Sequence, residues 1–415
     1  MYRWMLISAL FLAALPLRAQ DAGGLAGVED AFVRAVEKAR ASVVAVTSEF
    51  EVPSKGEKGD GEADTFRISF SGVVLDAQGH ILTVASAARN ARTVVVTTAD
   101  ESEYEAEVIG IDDRSNLAVL KIDAESLVPV EFADPKTVHL GSWVIAVGNA
   151  FGMSGTVSYG LVSGLDRTLG TGETVLTNMV QTTACVNPGD SGGLLANSRG
   201  QLVGVIASTF QRAASMSSIE EALSDMGGPS MESLMKDLQD LQTGGANDPK
   251  RLRDMMSRWM RSWAKKSREQ GKRQGGVVSG QLLGAEGVNF ATPAETVKFV
   301  ADQLVEKGKV DRGWLGVEVR AVPSGLRKKL GIPAGATGLL VGRVVKDGPA
   351  EKGGLRPDDV ILKMNGSPLA RMSDLERFVA RSTGGTQLTI EVSSDGERKE
   401  IVITLGTRPE DPEDK

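Results

Sequence analysis

Asn187-Pro188-Gly189-Asp190-Ser191-Gly192-Gly193 is the stretch on which the reading of this chain turns. Glycines on both sides of a serine let the backbone turn tightly and leave the Ser191 hydroxyl exposed. They also aim the N–H groups of Gly189 and Ser191 at one point, as an oxyanion hole requires. A serine hydroxyl is a poor nucleophile until a neighbouring base takes its proton. The whole chain of 415 residues offers two histidines, His80 and His139. The identity of the base is therefore the open question around Ser191.

Three ordered blocks surround this stretch. The first runs Ser71-Gly72-Val73-Val74-Leu75-Asp76 and then Gly79-His80-Ile81-Leu82-Thr83. The second is Asn116-Leu117-Ala118-Val119-Leu120-Lys121-Ile122, followed by Gly141-Ser142-Trp143 through Gly148-Asn149-Ala150-Phe151-Gly152. The third is Gln181-Thr182-Thr183-Ala184-Cys185-Val186 leading into the serine loop, then Gly200-Gln201-Leu202-Val203-Gly204-Val205-Ile206. Alternating apolar runs with frequent glycine indicate small antiparallel β-barrels. Together with a PDZ-like region further on, the blocks resemble the HtrA (Deg) family of trypsin-like serine peptidases. The fold this implies is mainly β: a trypsin-like double antiparallel β-barrel with a helical insertion, followed by an α+β PDZ domain.

In that family the first block ends I-L-T-N-x-H-V, with the histidine as general base. Here the stretch reads Ile81-Leu82-Thr83-Val84-Ala85-Ser86-Ala87, so Ser86 holds the base position. The family's T-D-I-A-V-L-K is Ser115-Asn116-Leu117-Ala118-Val119-Leu120-Lys121, so Asn116 holds the acid position. The nucleophile maps onto Ser191, with Gly189 in the oxyanion hole. His80 lies six residues before Ser86, roughly 20 Å of extended chain, too far for a side chain to bridge. His139 matches no family catalytic position, and geometry precedes pKa in naming a base. Losing the histidine costs on the order of 10⁶ in turnover in subtilisin. The resemblance thus implies a pseudoprotease that binds unfolded or C-terminal peptide segments in protein quality control. An active endopeptidase with an atypical base, or a regulatory subunit of an active relative, are the alternatives. Asp190, where the family more usually has asparagine, is expected to accept backbone N–H bonds as a loop carboxylate. No cofactor or metal is expected.

Met1 to Arg3 followed by an apolar run from Met5 to Leu17 and then Arg18-Ala19 reads as a secretory signal peptide, 1–19. An uncleaved anchor is the alternative, although the run is short for a membrane span. Export with Cys185 as the one cysteine fits a periplasm without disulfides. Cys185, inside an apolar run, is expected to be a buried structural thiol. A net charge of −7 argues against a general nucleic-acid binder.

The peptidase-like domain is expected over 20–305, with a Lys/Gly/Glu-rich loop from Pro53 to Asp64. A long insertion, about 211–274, carries two helical patterns, an acidic one and then a basic one at 249–268. The three readings of that pair are a self-packed hairpin, a membrane-surface face and a partner-docking helix. A linker (306–313), a PDZ domain (314–408) and an acidic tail (409–415) complete the chain. By the resemblance, Trp314, Leu315, Gly316 and Val317 form the carboxylate-binding loop for a C-terminal peptide, which adds as a strand. Ser373 is expected to cap the helix that walls the groove. The family also implies a homo-oligomer, a trimer; an active relative is the partner only under the regulatory-subunit alternative.

Overall fold

Alternation of apolar and polar residues builds two β units that share one core. The structure, a computed structural model, describes residues 22–51, 65–170, 175–207, 287–323, 327, 337–394 and 396–407. The expected signal peptide, the loop at 53–64, the insertion at 211–274 and the tail at 409–415 lie outside the described residues.

Helix α1 (Ala22–Ala41) leads into the first sheet. Its strands are β1 (Val43–Glu51), β2 (Thr65–Val74), β3 (His80–Thr83), β4 (Thr93–Thr97), β5 (Glu103–Glu105), β6 (Glu107–Asp112) and β7 (Leu117–Lys121). The order is β5-β4-β1-β2-β3-β7-β6. A short helix α2 (Ala85–Ala88) follows β3. The second unit is a closed barrel of β8 (Trp143–Gly148), β9 (Thr156–Gly170), β10 (Val175–Thr182), β11 (Leu194–Asn197), β12 (Leu202–Ile206) and β13 (Asn289–Pro293). The expected double β-barrel is present, the first unit as an open, curled half-barrel and the second as a closed barrel. The two edges of the first unit, β5 and β6, are separated only by Ala106, whose N–H donates to the Val94 carbonyl at 2.8 Å. The sheet therefore curls back towards itself without a ladder to close it.

Helix α3 (Ala294–Lys307) completes the shared core. Val297, Val300, Ala301 and Leu304 fall at i, i+3, i+4 and i+7 and are all buried, so one stripe of the helix faces inward. They pack with Val73 and Leu82 of the open sheet and with Leu194 and Leu202 of the barrel. Gly308, at φ 70°, ends the helix in the left-handed conformation that glycine adopts without steric cost.

The PDZ unit holds β14 (Gly313–Trp314), β15 (Val317–Ala321), β16 (Leu339–Val344), β17 (Val360–Met364), β18 (Ser367–Pro368), β19 (Gln387–Ser394), β20 (Glu397–Thr404) and β21 (Gly406–Thr407). Helices α4 (Pro349–Lys352) and α5 (Met372–Ala380) flank them. Ser373 does not cap α5, because it lies inside the helix and is buried. The carboxylate of Asp374 reaches back instead, accepting the N–H groups of Ala370 and Arg371 at 2.8 and 2.9 Å. The unit rests on the barrel side through α5, where Arg381 bonds Glu295 in the first turn of α3 and Arg377 lies 3.8 Å from Asp166.

Candidate functional site

The serine loop is a turn fastened from three directions. The Asp190 N–H returns to the Asn187 carbonyl at 3.0 Å. With proline in the second position and Gly189 at φ +101° in the third, this is the type II pattern. The Pro188 carbonyl accepts from the Phe151 N–H at 2.7 Å. Its peptide is trans, so the Gly189 N–H points the opposite way. The carbonyls of Gly189 and Ser191 are held by Ser71, through its hydroxyl at 2.7 Å and its N–H at 2.8 Å. Among the described residues the N–H groups of Gly189 and Ser191 have no backbone acceptor, whereas those of Asp190, Gly192 and Gly193 do. A side chain at Gly189 would bring its Cβ within 2.2 Å of the Asn149 carbonyl.

Ser71 was not singled out by the sequence reading beyond opening a block, yet it organises this region. It accepts the Asn149 N–H at 2.8 Å, and its carbonyl accepts the Thr83 hydroxyl at 2.7 Å. Thr83 ends β3, three residues before Ser86. The Ala85 N–H donates to the Asn116 carbonyl at 3.2 Å. The structure thus ties the segments carrying Ser86, Asn116 and Ser191 to one another. Ser86 is exposed between buried Ala85 and Ala87, and Asn116 and Ser191 are half-buried. Among the described residues, the side chains of these three make no hydrogen bond with each other.

Among the described residues neither histidine is hydrogen-bonded to the serine. His80 Nδ1 lies 2.7 Å from Asp76 Oδ2, whose other oxygen accepts the His80 N–H, so this pair closes the β2–β3 turn. His139 is exposed in the turn before β8, where its N–H meets the Ser142 hydroxyl at 3.0 Å.

Cys185 is exposed, contrary to expectation. Thr183, Ala184 and Cys185 alternate out, in, out, and Gly160 admits the backbone of Ala184 so closely that a Cβ there would meet the Ala184 nitrogen at 2.2 Å. The apolar neighbours therefore turn inward and the thiol outward. The Cys185 carbonyl accepts the Ser158 hydroxyl at 2.5 Å.

Asp190 is a loop carboxylate, 5% exposed, accepting the Asn187 N–H at 2.8 Å on one oxygen. Among the described residues its other oxygen makes no hydrogen bond of good geometry. Burial pushes its carboxyl above the usual range, against the pull of the Asn187 and Ala150 N–H groups. A raised folded pKa means the native state holds the proton more tightly. Asp190 therefore costs stability at neutral pH, and the cost fades as pH falls through the raised folded pKa and is gone below the unfolded value of about 3.9. Asp190→Asn should raise the melting temperature at pH 7, with a gain that shrinks on acidification. A lower melting temperature at pH 7 would show that the ionised carboxylate has a partner of its own.

At the start of the PDZ unit the same logic recurs. The Leu315 and Gly316 carbonyls are held inward by the N–H groups of Ala350 and Val345, at 2.9 and 2.8 Å. Among the described residues, the N–H groups of Leu315 and Gly316 donate to no backbone carbonyl. Gly316 stands at φ +77° over the Trp314 ring. Inward carbonyls and free, adjacent N–H groups are the arrangement that accepts an anion. Leu315 is buried and Val317 begins β15, the edge of its sheet.

An open sheet and a barrel around a serine on a glycine turn, followed by a PDZ unit, define a trypsin-like serine peptidase fold. The trypsin-like peptidase domain family matches residues 70–205 and the PDZ domain family residues 303–393. The chain is 32% identical over 343 residues to the probable periplasmic serine endoprotease DegP-like of Ectopseudomonas mendocina (strain ymp), covering 82% of this chain and 57% of that protein. It is 31% identical over 361 residues to the protein of that name in Pseudomonas savastanoi pv. phaseolicola, covering 86% and 60%. The chain belongs to this DegP-like, HtrA-type family of serine protease homologues, and it spans less than two thirds of the length of these relatives. Among solved structures, the HtrA-type protease AlgW with a decapeptide is similar at a TM-score of 0.60 and 25% identity, covering 92% of this chain and 99% of that one. AlgW with a tripeptide gives 0.61 and 26%, covering 92% and 98%.

Proposed function

We propose that this chain is an exported peptide-binding member of the family that does not hydrolyse its ligands. The observation that carries the reading is the pair Ser86 and Asn116 beside a well-formed serine turn. Neither side chain is a base near neutral pH, the His80 ring is paired with Asp76, and among the described residues neither histidine is hydrogen-bonded to Ser191. The serine turn presents unpaired N–H groups to a substrate carbonyl, and the Trp314–Val317 loop presents them to a peptide C-terminus. Two AlgW structures hold short peptides, which supports peptide ligands here. The domain divisions at 20–305 and 314–408 and the periplasmic location belong to the same proposal, the latter supported by the relatives' names. Among the described residues no helix is long and apolar enough to cross a membrane.

The test uses the full chain and a peptide with an apolar last residue. The peptide should bind with a free carboxylate and be recovered intact, and its C-terminal amide should bind at least about tenfold more weakly. Equal binding of the amide would remove the carboxylate loop from the account.

Self-association is part of the proposal. Trp143 and Leu161 face each other across β8 and β9 and are 57% and 42% exposed, beside Tyr159 at 75%. An aromatic patch of this kind marks an interaction surface. A trimer is expected by light scattering, and a monomer at micromolar concentration would overturn it.

A further inference from the structure

The chain between the two units is fastened to the first along its length. The Gly308 carbonyl passes so close to Gly110 that a Cβ there would meet it at 2.3 Å. Val310 packs against the shared core. The Asp311 N–H donates to Gln303 Oε1 at 3.0 Å, and Gln303 is itself buried. Arg312 then closes on Asp112 with two parallel bonds, Nη1 to Oδ1 at 2.6 Å and Nη2 to Oδ2 at 2.7 Å. The two side chains are 11% and 8% exposed.

Asp112 also holds the segment that follows it. It accepts the Ser115 N–H at 3.0 Å and a short bond from the Ser115 hydroxyl. Burial pushes the Asp112 carboxyl up, but the bonds and charge of Arg312, with help from Ser115, hold it below the usual carboxylate range. The next residue, Asn116, stands at φ +54°, and its carbonyl takes the N–H of Ala85, one residue before Ser86. Removing one partner of such a buried pair leaves an uncompensated charge, which is strongly destabilising.

We propose that Arg312 is a positioning residue for the segment carrying Asn116 and Ser86. The chain leading into the PDZ unit, and not the first sheet alone, sets the conformation of these positions. The link to catalysis rests on the reading of Ser86 and Asn116 as base and acid positions; the mechanical dependence does not.

The experiment is amide hydrogen exchange on the full chain. In Arg312→Gln, protection at 113–118 and 84–88 should fall at least about tenfold. Protection in β11 and β19 should hold. Asp112→Asn should give the same local loss, and Arg312→Lys, which keeps the charge without the fork, an intermediate one. A second readout uses a background carrying Ser86→His and Asn116→Asp. There, Arg312→Gln should slow reaction with a fluorophosphonate and move its pH midpoint upward, because the uncompensated Asp112 charge favours the imidazolium. Arg312→Lys should restore the midpoint. Unchanged exchange at both segments, or an equal loss of protection in β11 and β19, would overturn the proposal. So would a slower reaction with an unmoved midpoint. If the background itself never reacts, the base-and-acid reading fails while the exchange data still decide the role of Arg312.

Discussion

The double variant Ser86→His/Asn116→Asp should react with a fluorophosphonate at least about a hundredfold faster than the unaltered chain, since a positioned general base contributes typically 10²–10⁴. The unaltered chain should neither label nor cleave casein above background. The structure favours the repair at both positions. Ser86 is exposed, so an imidazole there displaces no core side chain. Asn116 stands at φ +54°, a conformation that aspartate tolerates as asparagine does. The bonds from Thr83 to Ser71 and from Ser71 to Ser191 hold the end of β3 against the serine turn. The imidazole should then meet the Ser191 hydroxyl at about 2.6–3.2 Å, with the carboxylate fixing its tautomer. Either change alone should recover little, because triad members act as a unit. A folded double variant that stays unlabelled would show that the turn is not competent. Equal labelling of the unaltered chain, lost in Ser191→Ala, would show that the base lies elsewhere and that the chain is an enzyme.

Gly192→Ala should destabilise the protein by about 3 kcal/mol or more, combining backbone strain of about 1–3 kcal/mol with a steric clash. Gly192 stands at φ +88°, and a Cβ would come within 2.1 Å of the Ser71 carbonyl oxygen and 2.6 Å of Thr83 Oγ1. The carbonyl belongs to the backbone of β2 and cannot rotate away. Gly141 is the matched control. Its φ is +85° but nothing lies within 4 Å, so Gly141→Ala should cost only about 1 kcal/mol. Calorimetry of the two variants separates strain from clash. Equal melting temperatures would mean that the serine turn is not packed against Ser71 in solution.

Much of this site was legible because turn chemistry is local. Proline followed by glycine specifies a type II turn within four residues, and Gly189 indeed carries the positive φ. The Trp314–Val317 loop was marked by the family resemblance, and the structure adds a positive φ at Gly316. The helical stripe of Val297, Val300, Ala301 and Leu304 follows from spacing alone. Ser71 was not legible as the organiser, because the carbonyl its hydroxyl meets lies 118 residues away. Cys185 was misread because an apolar run does not say which of its members faces inward. Ser373 was misread because a serine before a helix and a serine inside its first turn look alike in sequence.

By itself the amino-acid sequence determined the residue types around Ser191, the two glycine turns and the mainly β character of the chain. Each depends on residue type or on neighbours within a few positions. Only the tertiary structure decided that the first sheet stays open and that Ser71 fastens the serine turn. It alone decided that the thiol faces out and that Arg312 pairs with Asp112, 200 residues earlier. Such pairings depend on which strands become neighbours, and local spacing carries no information about that choice.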